Sequence, residues 1–135
     1  MSKSAIYTAN TTAQNVAVNG SINPGTVIRR FGCNVHMSGS SINLTGTGYY
    51  DVDASFTLAP TAAGNVTVTM LKDGVPVPGA TATAATSTAN NPVNLSISCL
   101  VREYCPCADD SSNLTFVLSG TASSITNVSL VIEKL

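Results

Sequence analysis

Residues 48–58 read Gly48-Tyr49-Tyr50-Asp51-Val52-Asp53-Ala54-Ser55-Phe56-Thr57-Leu58. Tyr50, Val52, Ala54, Phe56 and Leu58 alternate with Asp51, Asp53, Ser55 and Thr57. Successive side chains of an extended chain point to opposite faces, whereas an amphipathic helix needs apolar residues at i, i+3, i+4 and i+7. The stretch is therefore a half-buried strand. The same period of two returns in Val66, Val68 and Met70, in Val93, Leu95, Ile97 and Cys99, in Leu114, Phe116 and Leu118, and in Val128, Leu130 and Ile132. Shorter runs, Cys33, Val35 and Met37, then Ile42 and Leu44, repeat it earlier in the chain. No helical period is sustained over three turns, so helix content is expected to be close to nil.

The punctuation between these runs fits an antiparallel fold. Lys72-Asp73-Gly74 separates Val66–Leu71 from Val75-Pro76-Val77-Pro78, and Asp-Gly between apolar segments is a strong hairpin signal. Pro76 and Pro78 lack the N–H that a central strand donates, which assigns this arm to a sheet edge. The low-complexity run from Ala80 to Asn91 reads as a weak edge strand passing into a surface loop. About eight short strands with turns between them predict an all-β, antiparallel jelly-roll β-sandwich. Residues 1–24 are less periodic and are expected to form an arm, at the sandwich edge or as an attachment segment. Asn23-Pro24-Gly25 marks the start of the jelly-roll domain, residues 25–135.

Composition removes several function classes. The 135 residues hold 6 Lys and Arg against 7 Asp and Glu, and 10% are charged, where about 25% is usual. A formal net charge of −1 leaves no electrostatic footprint for nucleic acid or an anionic membrane. Hydrophobic residues make up 44%, too many for a disordered chain, yet no run approaches the ~18 apolar residues of a membrane-spanning helix. Met1-Ser2-Lys3-Ser4-Ala5 leads into Thr8, Asn10, Thr11 and Thr12 and not into the apolar core of a secretory signal. A compact protein with a hydroxyl-rich, uncharged surface is expected.

Few residues carry candidate chemistry. Cys99, Cys105 and Cys107 are metal-ligand candidates, with His36, the only histidine, as a further one. Zinc sites favour Cys-x2–4-Cys pairs, and Cys105-Pro106-Cys107 has one-residue spacing with no second pair. The alternatives are a cross-link between protomers and plain structural thiols. By alternation Cys33 and Cys99 fall on apolar faces, where a free Cys packs as a small hydrophobe. His36 would have to serve as base for any Ser or Cys nucleophile, but residues 33 and 36 of one strand face opposite ways. Asp51 and Asp53 share one strand face. They are candidates for acid–base work, for calcium together with Asp109 and Asp110, or for pairing with Arg29 and Arg30 across a protomer boundary. Asn-x-Ser/Thr triplets at Asn10, Asn43, Asn65, Asn94, Asn113 and Asn127 follow from a chain rich in these residues. No set of nucleophile, base and acid emerges, so an enzyme is not expected and neither is a cofactor.

A resemblance supplies more. The segments Gly48-Tyr49-Tyr50-Asp51-Val52-Asp53-Ala54-Ser55-Phe56, Gly64-Asn65-Val66-Thr67-Val68 and Lys72-Asp73-Gly74-Val75-Pro76-Val77-Pro78-Gly79 resemble the compact jelly rolls of the tumour-necrosis-factor and complement globular-head superfamily. They look more like the small versions that cap collagen-like chains in Firmicutes and in their phages. Leu95–Val101, Leu114–Leu118 and Val128–Ile132 match the last three strands of that roll, so the resemblance covers about residues 26–135. It implies a homotrimer, and a phage head-fibre or capsid-decoration role in the virion. The partner would be the major capsid protein, gripped by the N-terminal arm, with loops around Lys72–Gly79 and Cys105–Ser112 facing solvent. The alternative it leaves open is a trimeric adhesive tip recognising a host glycan or surface protein. A binding tip usually presents aromatic platforms, and this chain has no Trp and only Tyr7, Tyr49, Tyr50 and Tyr104.

Overall fold

The structure, a computed structural model, describes residues 3–103 and 111–135. The described chain forms β1 (Ala5–Asn10), β2 (Gln14–Val16), β3 (Thr26–Phe31), β4 (Val35–Ser38), β5 (Ser41–Thr45) and β6 (Gly48–Pro60). It continues through β7 (Gly64–Lys72), β8 (Val75–Thr86), β9 (Val93–Glu103), β10 (Ser111–Ser119) and β11 (Ser123–Lys134). One sheet runs β3-β1-β11-β6-β9, with β2 also paired to β11, and the other runs β4-β5-β10-β7-β8. Every pairing is antiparallel. Two such sheets bury their alternating apolar faces against each other, about 10 Å apart, and make a jelly-roll sandwich.

The opening stretch lies at the centre of this arrangement. β6 pairs with β9 from Gly48↔Glu103 to Leu58↔Val93, and with β11 from Tyr50↔Lys134 to Pro60↔Ser123. Its inward residues Tyr50, Val52, Ala54, Phe56 and Leu58 are buried, as the alternation predicts. Phe56 meets Phe116 of the opposite sheet at a ring-centroid distance of 5.4 Å and an interplanar angle of 59°. Tilted aromatic pairs of this kind contribute beyond the area they bury. Val66, Val68, Met70, Leu114, Leu118, Val128, Leu130 and Ile132 complete the central core. The hairpin at Asp73-Gly74 is present, with both residues at positive φ (52° and 83°) as its tight turn requires. β8, which carries Pro76 and Pro78, is an edge strand.

Two findings depart from the expectation, the number of strands and the place of Cys33. The described chain has eleven strands where about eight were expected. Much of the surplus comes from the first 31 residues, where apolar alternation is weak. Within residues 1–24, expected at the sandwich edge or as an attachment segment, β1 runs between β3 and β11, and Ile6, Thr8, Val16 and Ile22 are buried. The segment then crosses from one sheet to the other. β2 pairs with β11, Ser21 forms a bridge to Val117, and the Ile22 N–H donates to the Phe116 carbonyl at 2.8 Å. The second departure is Cys33. Alternation placed it on an apolar face, but it is exposed. It precedes β4, just after Gly32 turns the chain at a φ of 81°, so the strand phase that buries Val35 does not extend back to it.

Thr8 is fully buried on the inward face of β1, and its hydroxyl has no hydrogen-bond partner. An unsatisfied buried hydroxyl opposes folding, and an isosteric apolar group removes that cost. Thr8→Val is expected to leave stability unchanged or raise it by about 1 kcal/mol. Phe56→Ala, which empties the aromatic contact, is expected to lower it by roughly 3–5 kcal/mol. Denaturant midpoints of the two variants check both signs.

Candidate functional site

The outward face of the six-stranded sheet is organised in cross-strand rows. Paired residues share a face, so the registers place Phe31, Ala5, Glu133, Asp51 and Leu100 in one row. Arg29, Tyr7, Val131, Asp53 and Ser98 form the next, and Thr26, Ala9, Ser129, Ser55 and Ser96 the third. Their inward neighbours Ile6, Val52, Leu130 and Ile132 are buried, which confirms the phase. Asp51 and Asp53 therefore point out of the sandwich, as expected for one shared strand face. Ser98 Oγ donates to Asp53 Oδ1 at 2.8 Å, and Thr57 Oγ1 donates to Asn94 Oδ1 at 2.7 Å. The small side chains Ser55, Ser96, Ser98 and Ser129, with Asp53 and Val131, line a shallow hollow of about 320 Å³.

At the lateral edge of this face the chain forms a second depression. Val75, Pro76, Val77 and Pro78 of β8 face Leu100, Val101 and Arg102 of β9 across a groove of about 240 Å³ that Lys72 also lines. The Lys72 ammonium donates to the Arg102 carbonyl at 2.8 Å and holds the two edges together. Val75 and Leu100 are exposed here. At the opposite edge β3 is exposed along its whole length, with Ile28 53% and Phe31 59% accessible. A monomer ordinarily blunts such edges, because exposed apolar strands pair with other chains.

The outward face of the five-stranded sheet differs. Asn43 Nδ2 donates to Asn113 Oδ1 at 2.9 Å, and the Thr67 and Thr83 hydroxyls bond each other at 2.9 Å. These polar groups satisfy one another across the strands. His36 sits on this side, exposed, with its Nδ1 3.3 Å from Arg30 Nη1 and its Nε2 2.9 Å from the Cys33 carbonyl. That pattern fits an Nε2–H donor and an Nδ1 acceptor. His36 and the Asp51 and Asp53 pair thus lie on opposite outer faces of the sandwich.

Of the metal-ligand candidates, Cys105 and Cys107 lie outside the described residues, as do Asp109 and Asp110. Cys99 is half-buried on the inward side of β9, paired in register with Val52 and packed against the core. Burial pushes its thiol above the ordinary range, and the carboxylates of Asp51 and Asp53 push it further the same way. Among the described residues no group of three or more His, Cys, Asp or Glu side chains is placed to hold a metal ion. One buried acid escaped the sequence reading. Glu103, 3% exposed, occupies the inward position that follows Val101 in β9, and its Oε2 has no hydrogen-bond partner. Its only signal was a charged residue continuing an apolar phase.

No family model and no curated protein matches this sequence. Solved structures do. The Eiger TNF of S. frugiperda aligns with a TM-score of 0.70 at 10% identity, over 98% of this chain and 91% of that one. The PRD1 vertex protein P5 aligns with a TM-score of 0.62 at 16% identity, over 98% and 96%. The globular domain of the zebrafish complement 1qA protein aligns at 0.61 and 5% identity, over 97% and 94%. The fold is a TNF-like jelly roll. At these identities the likeness carries the fold alone, and it agrees with the resemblance read from Gly48–Gly79 and the last three strands.

The two described thiols should separate chemically. Alkylation at neutral pH is expected to modify exposed Cys33 quickly and Cys99 slowly, since the thiolate is the nucleophile and Cys99 is held protonated. The Cys99 rate is expected to keep rising into the alkaline range. Peptide mass mapping resolves the two sites, and equal rates at neutral pH would contradict the assignment.

Proposed function

We propose that this chain is a virion structural protein, a homotrimeric jelly roll that decorates a phage capsid and acts by binding alone. The observation that carries the reading is the likeness to PRD1 vertex protein P5 along 98% of the chain, on a fold that serves ligands and structural proteins alike. The surface supports it. Acid and histidine are kept on opposite faces, which suits a binding role and not turnover. An outward face with exposed apolar edges suits a protomer that buries surface against like copies, and obligate interfaces commonly exceed ~2,000 Å² in total. The attachment role expected of residues 1–24 then falls on the exposed turn at Ala17-Val18-Asn19, since β1 is built into the sheet. The partner of that turn is the major capsid protein, on the capsid exterior.

Particles purified on a density gradient from cells expressing the chain in its phage test this reading. The chain is expected to co-purify with full heads, and gold-labelled antibody is expected on the capsid surface. Label confined to a tail tip would replace decoration with adhesion to a host glycan or protein. A chain found only in the soluble fraction would overturn a virion role.

A further inference from the structure

The few charged residues of this chain are unevenly placed. None falls within residues 4–28, 31–50, 54–71, 74–101 or 111–132. In the six-stranded sheet, the registers put every charged residue of the strands level with Gly48 to Asp53 of β6. The rows level with Ala54 to Pro60 carry none. Lys72 and Asp73 lie at the β7–β8 hairpin of the same end, where the Lys72 ammonium meets the Arg102 carbonyl. Among the described residues the sandwich therefore has a charged pole and a neutral one.

The neutral pole is formed by residues 17–20, 61–63, 87–92 and 120–122, and these loops are bonded to their surroundings. The Asn90 N–H donates to the Pro60 carbonyl at 2.7 Å, and the Thr61 N–H to the Ala122 carbonyl at 2.9 Å. Thr121 Oγ1 donates to the Asn65 carbonyl at 2.9 Å, and the Asn19 N–H to the Leu118 carbonyl at 2.7 Å. A surface tied in this way has little freedom left to lose when it is covered. Val18, Ala62, Ala63 and Ala89 are exposed on it.

We propose that this neutral pole is the docking face, seated on an uncharged, hydrogen-bonding protein surface of the shell, with the charged pole turned to solvent. The proposal rests on the decoration reading. It adds which pole docks, by more than the turn at Val18, and what chemistry receives it. The cores of protein interfaces are depleted in charge, because an unpaired charge there is desolvated without return. A face without charged side chains meets that condition and offers nothing to a phosphate backbone. Sugar-binding surfaces usually present aromatic platforms, and Tyr7, Tyr49 and Tyr50 all lie in the charged half.

Co-sedimentation of purified protein with heads from a phage lacking the chain tests the proposal. Wild-type protein is expected to bind with an affinity that changes less than about twofold up to ~1 M salt, where the Debye length is ~3 Å. Ala62→Glu and Ala89→Glu, both in exposed loops of the neutral pole, are each expected to weaken binding about tenfold or more, since the new charge is buried without a partner. Val75→Glu adds the same charge at the exposed hairpin of the other pole and is expected to bind as the wild type does. Unchanged circular dichroism spectra are expected for all three. Neutral-pole variants that bind like the wild type, equal loss in Val75→Glu, or binding that falls steeply with salt would overturn the docking face and leave decoration standing. Wild-type protein that does not bind heads overturns the decoration reading, and the docking face with it. Binding to purified host polysaccharide in place of heads, lost in Ala62→Glu, would assign the pole to a glycan and overturn the protein partner.

Discussion

The contact on which the rest depends is the one between β6 and β10, where Phe56 and Phe116 meet across the gap between the sheets. Once this pair fixes the separation, the period of two decides every other position on those strands. Tyr50, Val52, Ala54 and Leu58 must face the same gap, and Asp51, Asp53, Ser55 and Thr57 must face away. The hydrogen-bonded registers to β9 and β11 carry this choice across the sheet, because a slip of one residue would turn a whole strand inside out. The outward rows are thus consequences of the core. Asp53 lies beside Ser98, and Glu133 beside Asp51, because Val52 and Ile132 are buried next to them.

What was legible in the sequence follows from this. Strands with an unbroken run of inward apolar residues announced themselves, and β6, β7, β9, β10 and β11 fall where Tyr50–Leu58, Val66–Met70, Val93–Cys99, Leu114–Leu118 and Val128–Ile132 placed them. The prolines placed β8 at an edge for a backbone reason that needs no neighbour. The first strands were harder to read. β1 buries Ile6 and then Thr8, so its alternation is broken by a hydroxyl, and β3 is exposed on both faces and has no apolar period to detect. β1 takes its place from β11, more than a hundred residues away, and β3 pairs in turn only with β1, so no local pattern reports either. Cys33 was misplaced for a related reason, since the turn at Gly32 resets the phase before β4. Glu103 could be located by phase but not understood by it.

The two outer faces explain the low charge in different ways. On the five-stranded sheet, amides and hydroxyls pair across strands, Asn43 with Asn113 and Thr67 with Thr83, so a neutral surface stays hydrated without ions. On the six-stranded sheet the centre is a serine-lined hollow that Asp53 and Val131 also line, and the most exposed apolar side chains of that sheet, Ile28, Phe31 and Leu100, sit at its edges. Exposed apolar edges at two sides of one face are a hazard for a monomer and an asset for an assembling protomer. Two of the six basic residues, Arg29 and Arg30, lie on the β3 edge, yet Ile28 and Phe31 beside them stay exposed. The proposed covering of those edges by like copies would reconcile the composition with the fold.

That covering is the central claim, and hydroxyl-radical footprinting of the wild-type protein at assembly concentration reads it directly. Phe31 and Leu100, at opposite edges of the face, are predicted to be protected, while Val18, on a turn away from it, is oxidised freely. Oxidation of all three residues at the rate of freely accessible side chains would contradict the account.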